Sequence, residues 1–199
     1  KRRDEQEERH DDRAGRAQLL DDFANRLAAG DQRPTLIHGM GGVGKSALLA
    51  AHILREADPD RKEGCRTLVS YLSFDHSGLD PARPASLIAA MARQLAVQLD
   101  PAANERAKDL AARALERLRS ADRALEVGSR GLQVTAKVVD NLVADLAAVI
   151  DGRRYLVVMD TVAEVQRRGR PVLFAFGDLL TELPYQLPLS QLMLAGRAP

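Results

Sequence analysis

The stretch GMGGVGKS at residues 39–46 matches the phosphate-loop pattern G-x-x-x-x-G-K-[ST] at every fixed position. A short β-prone run, PTLIHG, precedes it, and a helical pattern from Ser46 to Ala57 follows it. Loops of this kind surround a phosphate with backbone N–H groups, so glycines are favoured because side chains would be in the way. The helix N-terminus adds free N–H groups and the positive end of the helix dipole. The stretch therefore predicts an α/β domain that binds a phosphate-bearing ligand.

Two side chains of this loop carry the predicted chemistry. Lys45 is placed to reach the outer phosphates, and the hydroxyl of Ser46 is a ligand for Mg²⁺. The alternative is a glycine-rich turn with a solvated lysine. The preceding strand and the following helix favour the phosphate loop, because the motif requires both.

Three further strands are predicted downstream, and helical patterns lie between them. The strands cover Thr67–Phe74, Tyr155–Met159 and Leu192–Ala195. Helices are predicted over Arg16–Ala29, Ser86–Leu99, Asn104–Val127, Leu132–Ile150 and from Pro171 until Pro184 and Pro188 stop the helix. The 104–127 and 132–150 helices form a predicted hairpin closed by a Gly-Ser-Arg-Gly turn at 128–131. The alternation predicts one three-layer α/β domain with a parallel sheet and a helical insertion between the second and third strands.

An acidic residue follows the predicted strand YLVVM. Asp160 is the first polar residue after four apolar ones, at the carboxyl end of the strand where ligands of open α/β sheets bind. We predict that Asp160 holds Mg²⁺ together with Ser46; the alternative role is a turn or cap residue. Thr161 follows it, where many ATPases have a second acid that polarises water. Glu164 is the nearest substitute, either as a catalytic base or as a solvated carboxylate.

Arg197 follows the last predicted strand, QLMLAG, at the same edge of the predicted sheet. An arginine there is able to reach a γ-phosphate, and the alternative is an ordinary surface side chain. The candidate catalytic residues are thus Lys45, Asp160, Glu164 and Arg197. The four histidines have no metal-site spacing, and Cys65 is interpreted as a structural thiol.

Composition limits the possible partners and compartment. A net charge of +1 gives no electrostatic case for direct nucleic-acid binding. The sequence has no run of eighteen apolar residues and no secretory signal pattern, so no membrane partner is expected. A single cysteine fits a reducing compartment, and we predict a cytoplasmic protein. Residues 1–12 are almost wholly charged and are interpreted as a tail or an upstream linker, with the phosphate-loop core spanning 13–199.

The segments GMGGVGKSALL, YLVVMD and QLMLAGR together resemble the STAND class of signal-transduction ATPases, which is related to NB-ARC domains. Gly15-Arg16 resembles the Gly-Arg motif that lies near the nucleotide base in that class, although Ala17 stands where the class usually has Glu. The resemblance implies ATP or ADP with Mg²⁺ as ligands. The residues expected to contact nucleotide are Gly39, Met40, Gly41, Gly42, Val43, Gly44, Lys45, Ser46, Ala47 and Arg16.

The resemblance also implies a strand order of 2-3-4-1 with a fifth strand beside the first. No fifth strand follows residue 196 in the sequence, so we expect a bacterial core that is truncated at its C-terminus, with its lid and sensor domains beyond residue 199. Nucleotide-dependent self-association of the longer protein is expected as well.

Three functions remain open. The leading one is an ATP/ADP-binding switch module of a multidomain signalling or defence protein, with slow hydrolysis. The alternatives are an AAA+-type motor, which Thr161 disfavours, and a scaffold that binds ATP and hardly cleaves it. A GTPase is disfavoured because no N-K-x-D segment occurs, and an ABC cassette because L-S-G-G-Q is absent.

Overall fold

A computed structural model of the chain describes residues 2–58, 67–75, 79–126 and 132–197. Eleven elements alternate along them in the manner of an α/β domain. The helices are α1 (Arg2–Ala28), α2 (Lys45–Glu56), α3 (Pro84–Ala96), α4 (Pro101–Glu126), α5 (Leu132–Ile150), α6 (Ala163–Arg167) and α7 (Arg170–Gln186). The strands are β1 (Thr35–His38), β2 (Leu68–Ser73), β3 (Tyr155–Asp160) and β4 (Ser190–Gly196).

The four strands form one parallel sheet in the order β1-β4-β3-β2. This confirms the predicted order 2-3-4-1 and the parallel pairing. Ser73 at the end of β2 pairs with Asp160 at the end of β3, and His38 at the end of β1 pairs with Gly196 at the end of β4. The carboxyl ends of all four strands therefore meet at one edge of the sheet.

The sheet has a hydrophobic core on each face, so the fold has three layers. Successive side chains of β3 point to opposite faces: Tyr155, Val157 and Met159 join the core under α3, α4, α5 and α7. Leu156 and Val158 join a smaller core with Phe23 and Leu49 under α1 and α2. Every residue of β3 is buried, which explains its continuous apolar run.

The predicted helical insertion between the second and third strands consists of α3, α4 and α5. Helix α3 lies on the sheet, with Leu87, Ile88 and Met91 fully buried, and α4 supplies Ala107 and Leu110 to the same core. The expected turn at 128–131 and the thiol of Cys65 lie outside the described residues.

The start of α1 and the end of α7 are among the helix boundaries that differ from the prediction. Helix α1 begins at Arg2 rather than Arg16, so the charged segment continues the helix. Helix α7 passes through Pro184 and ends at Gln186, so the prediction that Pro184 stops it was wrong. Proline removes one N–H donor, but the Leu187 N–H still donates to Leu183 O at 3.0 Å. The Pro184 carbonyl accepts a bond from Gln32 Nε2 at 3.0 Å.

Gln94 of α3 and Gln98, two residues after that helix ends, bond to the backbone along the outer edge of β2. The Gln98 amide accepts from Val69 N at 2.9 Å and donates to Val69 O. One helical turn earlier, the Gln94 amide makes the same pair of bonds to Tyr71 N at 2.7 Å and to Tyr71 O at 2.8 Å. Side chains thus satisfy backbone N–H and C=O groups at the outer edge of β2. At the other edge of the sheet, β1 pairs only with β4 among the described residues.

An ionic cluster ties the end of α1 to the start of β1. Arg26 donates to Asp31 Oδ2 at 2.9 Å, to Thr35 Oγ1 at 2.8 Å and to Arg33 O at 2.8 Å. The Arg33 side chain also donates to both Asp31 carboxylate oxygens. These bonds, those from Arg33 first, hold the pKa of Asp31 well below its usual value.

Asp31→Asn should therefore make the chain less stable in a pH-dependent way. A carboxylate whose pKa is lowered by folding stabilises the folded state above its unfolded pKa of about 3.9, and that stability is lost as the pH falls through the folded value. We expect the midpoint of thermal unfolding of Asp31→Asn to lie below that of the wild type at pH 7. The difference between the two unfolding midpoints should become smaller below about pH 4. A difference that stays constant from pH 7 to pH 2 would contradict this role of the cluster.

Candidate functional site

The phosphate loop joins the end of β1 to the start of α2. Gly42 and Gly44 have φ angles of +83° and +89°, which only glycine adopts freely. This backbone turns the chain directly into α2, whose first residue is Lys45. Among the residues that the structure describes, no side chain caps the N-terminus of α2, so its first N–H groups are left open to a ligand at the loop. Ser46 and Ala47 are exposed in the first turn of the helix, and Met40 is 78% exposed on the loop.

The Lys45 ammonium group folds back onto the loop. Its Nζ donates to Gly39 O at 2.9 Å and to Met40 O at 2.8 Å. The positive charge is thus held at the loop by carbonyl groups. An incoming phosphate offers it anionic acceptors, which make stronger hydrogen bonds than neutral carbonyls.

Both predicted arginines lie against the loop, although they are 181 positions apart in the chain. Arg16 of α1 donates from Nη2 to Val43 O at 3.3 Å, and a Cβ placed on Gly44 would lie 3.4 Å from its guanidinium nitrogens. Arg197 follows β4, and its Nη2 would lie 3.7 Å from a Cβ on Gly41. The fold thus brings three cations, Lys45, Arg16 and Arg197, to one loop.

Asp160 ends β3 at the same edge of the sheet and is only 5% exposed. Its Oδ2 accepts from the Tyr71 hydroxyl at 2.8 Å, and its Oδ1 accepts from the Thr161 N–H at 2.8 Å. Burial, with this bond to Asp160, raises the pKa of Tyr71 to about 12, so Tyr71 keeps its proton and acts as a donor. The Asp160 carboxylate and the Ser46 hydroxyl are hard oxygen ligands of the kind that Mg²⁺ takes, so the donor set fits that ion.

Thr161 has an unusual backbone and a specific partner. Its φ of +61° lies in the left-handed region, which a β-branched residue rarely occupies. In this conformation its hydroxyl donates to Asp75 Oδ2 at 2.9 Å. Asp75 stands just beyond β2, and Tyr71 lies within that strand.

Sequence reasoning missed Asp75 and Tyr71 as site residues. A signal for Asp75 was present, because it is the first charged residue after the apolar run TLVSYLSF, as Asp160 is after YLVVM. Tyr71 gave no such signal, since an aromatic residue in a strand usually indicates packing.

Glu164 lies in the first turn of α6, and the structure pairs its carboxylate with Arg167 Nη1 at 3.3 Å. Its backbone N–H donates to Thr161 O at 2.9 Å, so the residue is near Asp160 in the chain. Among the contacts of the described residues, none brings its carboxylate to Asp160 or to the phosphate loop.

Two other kinds of site are absent from the described part of the chain. Within residues 2–58, 67–75, 79–126 and 132–197, no helix is long and apolar enough to cross a membrane. The same residues contain no group of three or more His, Cys, Asp or Glu side chains arranged to hold a metal ion.

Comparison with known proteins places the loop and the sheet in a family. A family model described as an AAA ATPase domain matches residues 13–191, which is most of the chain. No curated protein matches it. The match agrees with the phosphate loop, the parallel sheet and the acidic end of β3. The chain belongs to the AAA ATPase domain family.

Proposed function

We propose that the chain is an ATP/ADP-binding switch module that hydrolyses ATP slowly with Mg²⁺. The observation that carries the proposal is the convergence of Lys45, Arg16 and Arg197 on the phosphate loop. Three cations and a helix N-terminus around one loop suit a ligand with several phosphates. ATP is favoured over GTP because the sequence has no N-K-x-D segment.

The proposed roles follow from these positions. The loop N–H groups and Lys45 bind the phosphates, and Arg197 contacts the γ-phosphate, which distinguishes ATP from ADP. Ser46 and Asp160 would hold Mg²⁺, which neutralises charge on the phosphates when it is bound. Arg16 lies beside Gly44 and would contact the nucleotide from the side of α1.

Thr161 supports a switch rather than a motor. A motor needs rapid turnover, and Thr161 puts a neutral hydroxyl directly after Asp160, so any carboxylate that acts on water has to come from another element of the fold. We further propose that the module works in a cytoplasmic multidomain signalling or defence protein. There, binding of ATP would drive self-association, together with lid and sensor domains.

Binding and turnover measured together test this function. We expect the chain to bind both ATP and ADP in the presence of Mg²⁺, and to turn over ATP at well below about 1 s⁻¹, the low end of ordinary enzymes. Sustained turnover on the order of 10 s⁻¹ without any trigger would favour the motor. Failure to bind either nucleotide by calorimetry would make the proposed function wrong.

A further inference from the structure

The site holds a second carboxylate beside Asp160 that the phosphate-loop motif does not account for. The register of the sheet pairs Ser73 with Asp160, and the Phe74 N–H donates to Asp160 O at 3.2 Å. The chain leaving β2 is therefore held against the end of β3. Asp75, the next residue, reaches the position after Asp160 through its bond to Thr161 Oγ1.

Three features suit Asp75 to act on a water molecule. It is exposed, so water has access to it. One of its oxygens, Oδ2, accepts from a neutral hydroxyl rather than from a cation. Its carboxylate is held in place by the Thr161 hydroxyl at 2.9 Å, and the backbone of Thr161 has a left-handed φ of +61°. Glu164 differs, because its carboxylate is engaged by Arg167 Nη1 at 3.3 Å and makes no such bond to Thr161.

We propose that Asp75 is the carboxylate that orients and deprotonates the attacking water, and that Thr161 is the positioning residue that holds it beside Asp160. The proposal rests on the proposed function, since it names the base of that same hydrolysis. Position 161 holds a threonine instead of an acid, and Asp75, which follows the neighbouring strand β2, provides the carboxylate there.

The step balances with ATP and water as the only reactants. The water oxygen forms a bond to the γ-phosphorus, while the bond from that phosphorus to the β,γ-bridging oxygen breaks and its electron pair stays on ADP. One proton of the water passes to an Asp75 carboxylate oxygen and from there to solvent. The products are ADP, inorganic phosphate and one proton.

Single-turnover hydrolysis and calorimetric ATP binding, measured on the same variants, test this assignment. We expect Asp75→Asn to slow the single turnover by roughly 10²- to 10⁴-fold, the usual contribution of a general base, with the Kd for ATP within about threefold of wild type. Asp178→Asn removes the same charge from the exposed face of α7 and should leave both quantities unchanged.

Two variants of Thr161 test its positioning role. Thr161→Val keeps the β-branched shape at the strained φ but removes the hydroxyl, so we expect a turnover slowed about tenfold or more with unchanged ATP affinity. Thr161→Ser restores the hydroxyl and should recover the wild-type rate. A purely structural role would instead change thermal stability and ATP binding, and serine would not rescue the rate.

Each contrary outcome has a distinct meaning. If the wild type binds no ATP, the proposed function is wrong and this inference fails with it. If the wild type binds and cleaves ATP and Asp75→Asn cleaves it equally fast, only this inference is overturned. The same holds if Glu164→Gln alone loses hydrolysis, which would make Glu164 the base. The assignment of Asp75 as the base is also overturned if the wild type binds ATP but shows no single-turnover cleavage, or if Asp75→Asn loses ATP binding.

Discussion

Lys45→Ala is expected to abolish measurable ATP binding, with a loss of affinity of about 100-fold or more. A single hydrogen bond to a charged group contributes about 1.5–3 kcal/mol, which is a factor of roughly 10–150 in affinity, and Lys45 is expected to contact more than one phosphate oxygen. The fold should survive, because the Lys45 bonds seen among the described residues go to the loop carbonyls of Gly39 and Met40. Calorimetry with ATP and Mg²⁺ gives the affinity, and thermal unfolding reports on the fold.

Lys108→Ala is the matched control for this substitution. Lys108 is an exposed lysine of α4 whose partner is Glu105, at 2.8 Å. The Lys108→Ala variant should bind ATP with wild-type affinity, because it loses the same charge at a position far along the chain from the phosphate loop. Wild-type ATP affinity in Lys45→Ala would mean that the loop is not the nucleotide site.

The second large effect is expected from Asp160→Asn, which should remove the Mg²⁺ dependence of ATP binding and slow hydrolysis by about 100-fold or more. A metal ion bound to the reacting phosphates is worth several kcal/mol in the transition state. Asparagine keeps the size of Asp160 and one acceptor for the Thr161 N–H. The Tyr71 hydroxyl, which donates to Asp160 Oδ2, is able to accept from the new amide instead.

The measurement for Asp160→Asn compares ATP affinity in Mg²⁺ with ATP affinity in a chelator. In the wild type, Mg²⁺ should tighten ATP binding, whereas in the variant the two affinities should be nearly equal. Asp178→Asn again serves as the charge control and should retain the effect of Mg²⁺. An undiminished effect of Mg²⁺ in Asp160→Asn would show that this carboxylate is not the metal ligand.

The strands and the phosphate loop could be predicted from the sequence because both depend on local patterns, whereas the order of the strands followed from the resemblance to a known class. The fully buried β3 appears as a continuous apolar run, and the loop glycines occupy fixed positions of a motif. The placement of Arg197 near the loop followed from its position after a parallel strand. Its role, like those of Lys45, Asp160 and Arg16, stays a prediction.

Other features depend on side-chain geometry that no local pattern records. The bond between Thr161 and Asp75 needs the β2–β3 register and a left-handed backbone at a β-branched residue, which propensity disfavours. The passage of α7 through Pro184 was mispredicted because tertiary packing offset one lost hydrogen bond: Leu183 and Leu187 stay buried on either side of the missing donor.

The two glutamines along β2 protect one edge of the sheet. A strand that invaded there, from a misfolded copy or from a swapped segment, would have to displace four hydrogen bonds that Gln94 and Gln98 already make with Val69 and Tyr71. Exposed strand edges are where such aggregation usually starts. Among the described strands, β1 is therefore the edge at which fibril-like stacking would meet less resistance, and α3, which carries Gln94, helps to protect the sheet against aggregation.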